Sequence, residues 1–182
     1  MKPDVLTRWL GAARRERVLR VLLSDYVLNG ASCAFGMFVV SAIVHLLFGA
    51  EAAANATVGV IAALAPDLVG PRRGKLVHLV VAPLIGVPLF LAVQLLRGHP
   101  VGLGLFLVPA TFLAFLGMAW GKRGAPVAIG VMLVMLFSMS TPLAASPGQA
   151  LVRTFYCGLG CALYVVYALV AHTVLNARYR TQ

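Results

Sequence analysis

Apolar residues fill this chain in long unbroken runs rather than in alternation, and its polar and turn-forming residues gather in short clusters between them. The runs lie near 26–48, 52–69, 76–96, 101–120, 125–141 and 150–175. They are separated by Gly49-Ala50-Glu51, by residues 70–75, 97–100 and 121–124, and by 142–148, all rich in glycine, proline or charge. A helix rises about 1.5 Å per residue and the hydrocarbon layer is about 30 Å thick, so one crossing takes about 20 mostly apolar residues. The pattern therefore predicts an all-α polytopic membrane protein, a bundle of six transmembrane helices. A barrel would need short alternating strands, whereas a continuous apolar helix pairs its own backbone groups within lipid.

Ahead of the first run, residues 5–23 place Val5, Trp9, Leu10, Ala13, Val18, Leu19 and Leu22 at largely helical spacing with arginines between them. That pattern predicts an N-terminal amphipathic helix lying in the membrane interface. The same charges also serve to fix topology, and both readings stand. Ser24 and Asp25 fall where an N-cap of the first span belongs. The expected organisation is a basic amphipathic segment at 1–24, a six-helix domain at 25–175 and a short tail at 176–182.

Charge orients the bundle. Of the 15 Lys and Arg, only Arg97 and Arg153 fall on one side of the six predicted crossings. The others lie before the first run, at Arg72, Arg73 and Lys75, at Lys122 and Arg123, and at Arg178 and Arg180. Because basic loops are retained in the cytoplasm, both termini are expected there.

With 61% hydrophobic residues, 11% charged residues and a mean hydropathy of +0.94, a water-soluble core is excluded. The net charge of +10 does not point to nucleic acid, because the cations sit in short clusters at span ends without interleaved aromatic residues to stack bases. Cys33, Cys157 and Cys161 all lie in apolar runs and make an odd count, so no disulfide framework follows. The first 24 residues have no short apolar stretch ending in a cleavage site.

Few side chains here carry chemistry. An ionisable group inside a span is costly and is a functional candidate for that reason. Asp67 follows Pro66 near the end of the second run, within reach of Arg72 and Arg73. A proton relay, a salt bridge and a helix-end cap are all open for it. His78, three residues past Lys75, is a candidate for titration or for holding an anion, with an ordinary interfacial histidine as the alternative. Glu51, His45, His99 and His172 fall at span ends and are expected to be solvated there. Pro83, Pro88 and Pro109 interrupt the third and fourth runs and predict kinks. Gly30 with Ala34, Ser32 with Gly36, and Gly117 with Gly121 have the four-residue spacing of close helix contacts. Cys157 and Cys161 share a helix face without a further ligand cluster, so packing is expected rather than metal binding. Phosphate-loop, metalloprotease and serine-elbow motifs are absent, so no catalytic residue, metal or cofactor is assigned.

The two loops Gly70-Pro71-Arg72-Arg73-Gly74-Lys75 and Gly121-Lys122-Arg123-Gly124 each present adjacent cations in a glycine-bounded turn on the same side. Such charges, focused by low-dielectric walls, attract organic anions; topology alone also accounts for them. In these loops, within residues 65–76 (Ala65-Pro66-Asp67-Leu68-Val69-Gly70-Pro71-Arg72-Arg73-Gly74-Lys75-Leu76) and 119–125 (Ala119-Trp120-Gly121-Lys122-Arg123-Gly124-Ala125), followed by the methionine-rich fifth run, the sequence resembles the fusaric acid resistance (FUSC) family. That family includes aromatic acid exporters and is distantly related to plant anion channels. The resemblance spans roughly 25–175. It implies a bacterial inner (plasma) membrane protein whose six-helix unit pairs with another, and efflux of aromatic or hydrophobic carboxylates. It makes Arg72, Arg73, Lys75, Lys122 and Arg123 the substrate-binding cations of the inner mouth. Many members continue beyond the point corresponding to Gln182, so a minimal member and a truncated one are both open. A minimal one implies a homo-oligomer, with a dimer favoured.

The expectation is thus an exporter of small organic anions in the lipid bilayer. The alternative is a membrane assembly or accessory protein whose loops set topology and bind anionic lipid.

Overall fold

A computed structural model of the chain describes residues 25–67, 72–121 and 124–179, apart from the side chains at 25, 26, 72–78, 172 and 174–179. The expected amphipathic helix at 5–23 lies outside the described residues. Among those described, the fold is all-helical: α1 (Asp25–Phe48), α2 (Ala50–Leu64), α3 (Arg72–Leu96), α4 (Pro100–Met118), α5 (Ala125–Ser140) and α6 (Pro147–Tyr179).

Four of these contain stretches long and apolar enough to cross a membrane, at Val27–Phe48, Leu79–Leu96, Pro100–Met118 and Pro147–Ala171. The other two, α2 and α5, have 15 and 16 residues, or roughly 22 and 24 Å at the usual rise. For α2, position accounts for the shortness. Helix α2 packs against α1, α3, α5 and α6, and Ala52, Ala53, Asn55, Ala56, Val58, Gly59, Val60, Ala62 and Ala63 are all buried. A helix wrapped by others has little lipid to match.

Helices α2 and α6 run in the same direction, Glu51 meeting Arg153 at one end and Asp67 meeting Tyr164 at the other. Helix α1 reverses into α2 through Gly49 alone, whose φ of 87° and ψ of −179° suit a residue without Cβ. Helix α2 stops at Leu64 as Pro66 approaches. Gly121, at φ 63°, turns the chain out of α4.

The tightest contact is between α2 and α6, where a Cβ added to Gly59 would lie 1.9 Å from the Cys157 carbonyl oxygen, and one on Gly160 would lie 2.1 Å from that of Ala56. Water drives no association between helices in lipid, so such close approach supplies much of the cohesion. The Cys161 thiol donates to the Gly59 carbonyl at 3.1 Å, and Cys157 is buried beside it. Of the glycine pairs expected at helix contacts, Gly36 does meet Tyr167 and Tyr164, and Gly117 meets Ala128. Gly30 faces open space and Gly121 belongs to a turn, so the sequence spacing missed the principal crossing. Four-residue spacing records which residues share a face, not which face meets a neighbour.

Candidate functional site

The end of the bundle where α2 stops and α5 starts holds a polar cluster. Asp67 is buried, and its Oδ2 accepts from the Tyr164 hydroxyl at 2.9 Å and from the Cys33 thiol at 3.5 Å. Its backbone carbonyl accepts from Asn29 Nδ2 at 2.9 Å. One turn along α6, the Tyr167 hydroxyl donates to the Ser32 carbonyl at 2.9 Å and lies 3.3 Å from the Ser32 hydroxyl. The carboxylate that the sequence singled out is therefore held by side chains of α1 and α6. Tyr164 and Cys33 escaped the sequence reading because an aromatic or a cysteine in an apolar run signals packing; only the fold brings them to a carboxylate.

At the same end opens an apolar cleft of about 650 Å³ between α3, α4 and α5. Ile85 and Leu89 of α3, Phe106, Pro109 and Leu113 of α4, and Val131 of α5 are among its walls, and Trp120 and Gly124 border it. Helix α4 lies at the periphery and makes its main contact with α5. Pro109 sits within it, on the wall of the cleft, so one predicted helix interruption is placed on a cavity.

The opposite end, by the Gly49 turn, carries the second polar network. Arg153 is buried, with 6% of its side chain exposed, and both Nε and Nη2 donate to Glu51 Oε1, at 3.1 and 2.9 Å. Its Nη1 donates to the Pro142 carbonyl at 2.6 Å. Arg97 donates to the Ser138 and Thr141 carbonyls, and Gln94 Nε2 to the Ser138 carbonyl at 3.2 Å and to the Thr141 hydroxyl. The last carbonyls of a helix lack partners within it and carry partial negative charge. Both arginines that the charge pattern set apart thus converge on the C-terminal end of α5. The expectation of a merely solvated Glu51 is corrected in part: the side chain is 67% exposed, yet it is the counter-ion of a buried cation. Pairing across 102 residues has no local sequence signal.

The remaining site expectations are placed only by backbone. Arg72, Arg73, Lys75 and His78 fall in the first two turns of α3, and their side chains lie outside the described residues. Lys122 and Arg123 also lie outside them, in the link between Gly121 and Gly124. His45 and His99 are exposed at helix ends.

The family model described as "FUSC-like inner membrane protein yccS" matches residues 84–182. The matched region includes Gly121-Lys122-Arg123-Gly124 and the walls of the cleft on α4 and α5, but starts after the Arg72–Arg73 loop. No curated protein and no solved structure matches the chain significantly. More than half of the chain falls under this model of an inner-membrane protein, and the described residues form an all-helical bundle with membrane-length helices; the chain belongs to the FUSC-like family of transporter-like inner-membrane proteins.

Proposed function

We propose that the protein is a transporter or channel-like exporter of organic anions, chiefly aromatic or hydrophobic carboxylates. The observation that carries this reading is the cleft between α3, α4 and α5. Its walls are apolar and its border residues Trp120 and Gly124 flank Lys122 and Arg123 in the chain. A carboxylate with an apolar body asks for that pairing, a dry wall for the body and a cation at one end for the charge. A volume of about 650 Å³ falls in the usual range for sites of drug-sized ligands, about 300–1,000 Å³.

On this reading Arg72, Arg73 and Lys75 add to the positive mouth, and Asp67 and His78 are the titratable groups nearest to it in the chain. Cytoplasmic termini put that mouth on the inner face, and a second copy of the chain is the favoured partner. Energy comes from a gradient or from a partner ATPase, as the sequence has no phosphate-binding loop of its own.

The test is retention of a panel of radiolabelled aromatic and aliphatic carboxylates by cells lacking or overproducing the protein. Overproduction is expected to lower retention of at least one aromatic member. The double variant K122A/R123A, with insertion checked by reporter tags, and the cleft-filling Ala110→Trp are each expected to abolish that effect. Unchanged retention across the panel, or normal efflux by both variants, would overturn the reading.

A further inference from the structure

We infer that Arg153 is a second carboxylate-binding site, at the opposite end of the bundle from the cleft mouth, and that Glu51 is its built-in occupant, exchangeable for the carboxylate of a small organic anion. The ligand class rests on the exporter reading above; the site itself rests on its own geometry.

A guanidinium stays charged at every pH a cell meets, so one removed from water needs a counter-ion. Arg153 is removed from water, with 6% of its side chain exposed, and its only charged partner among the described residues is Glu51. Two of its nitrogens converge on Oε1 of that carboxylate, at 3.1 and 2.9 Å, while the third is fixed on the Pro142 carbonyl. The cation is thereby held in place from one side by backbone and presents the rest of its fork to a carboxylate.

The two partners differ in how firmly they are held. Arg153 sits at the Gly49 end of the packed α2–α6 contact, beside Ala150 and Thr154, both buried. Glu51 is in the first turn of α2, two residues after the Gly49 reversal, and its side chain is 67% exposed. An exposed carboxylate holding a buried guanidinium from the solvent side is replaceable by another carboxylate arriving from that side. The exchange keeps the charge count and the donor count of the pair. Its cost is mainly the ordering of the incoming anion, offset in part by the rotamer freedom that Glu51 recovers. A plain structural clamp would differ in one respect: removing Glu51 would leave no affinity for a free carboxylate.

The experiment uses the full chain in nanodiscs, with benzoate as the probe and uncharged benzamide as its control, and reads binding by the shift of the unfolding temperature with ligand concentration. E51Q keeps the size of the side chain and removes the charge. It is expected to bind benzoate at least tenfold more tightly than the unaltered chain, with no response to benzamide. Adding R153M to E51Q is expected to abolish the gain. E51D keeps a charge but shortens the reach, so its affinity is expected between the two. It supplies the measurement if E51Q cannot be isolated folded. Wild-type benzoate affinity in folded E51Q or in E51D, or a gain that survives R153M, would overturn the assignment. Failure here is separable from failure of the exporter reading. Benzoate bound by E51Q in a chain that exports nothing leaves this site standing, and export unaccompanied by any gain in E51Q or E51D removes it alone.

Discussion

Replacing Gly160 by alanine tests the crossing on which the bundle turns. The added Cβ would sit 2.1 Å from the Ala56 oxygen and 2.7 Å from its carbonyl carbon, both backbone atoms of the central helix. Neither can rotate away, so α2 and α6 must separate locally by about 1 Å, a shift in the range where overpacking costs about 1–3 kcal/mol. A gap of that size also forfeits about a quarter to a half of the dispersion energy of each contact it opens, among them those of Ala52, Ala56 and Tyr164 in the same buried cluster. The Cys161 thiol bond to the Gly59 carbonyl is stretched by the same movement. Together these place the loss at about 2–3 kcal/mol. At about 2–4 °C per kcal/mol for a chain of this length, the unfolding temperature should fall by roughly 4 to 12 °C. The assay is thermal unfolding in nanodiscs, with Gly30→Ala as the internal reference. Gly30 lies in α1 with nothing within 4 Å of an added Cβ, so alanine there should be neutral or stabilise by up to about 1 kcal/mol through helix propensity alone. A Gly160→Ala protein as stable as the Gly30→Ala protein would refute the packing described for α2 and α6.

Three further outcomes follow from the same structure. Gly49→Ala puts a side chain at φ 87° and ψ −179°, a conformation that is nearly exclusive to glycine, and should lose about 1–3 kcal/mol in the same assay; an unchanged midpoint would show that the reversal is made differently. Tyr164→Phe removes a donor to a buried carboxylate and should lose about 1.5–3 kcal/mol in that assay; an unchanged midpoint would contradict the cluster around Asp67. Cys33, Cys157 and Cys161 are all buried, so maleimide should label the native protein far more slowly than the denatured one, and Gly160→Ala should speed labelling of Cys157 and Cys161 while sparing Cys33. Labelling that quickened first at Cys33 would place the opening elsewhere.

The helical stretches were legible because lipid imposes a strong local rule, and ends at Gly49, Gly121 and Gly124 were legible because these residues break helices through their own backbone chemistry, whereas the second run was read on to residue 69 although its helix stops at Leu64, before Pro66. Asp67 stood out for the same reason, as a carboxylate in an apolar run. What surrounds it did not: Tyr164 lies 97 residues away and Cys33 34 residues away, and a hydroxyl or thiol inside an apolar stretch has no periodicity of its own. Arg153 was set on one side of the bundle but not beside Glu51, because charge counting places a cation only to within a loop. The choice between burial beside Glu51 and exposure to solvent is made by packing against α2. The cleft was likewise invisible, since its wall residues, Ile85, Phe106 and Val131 among them, read in sequence like any lipid-facing position.

The central place of α2 has a consequence for biogenesis. It leaves the ribosome well before α6, the helix that seals it, with Gly59 and Cys161 separated by 102 residues of synthesis. Until then a helix only 15 residues long lacks the neighbour it packs against most closely, and an insertase that shields it through that interval would decide the yield of finished protein.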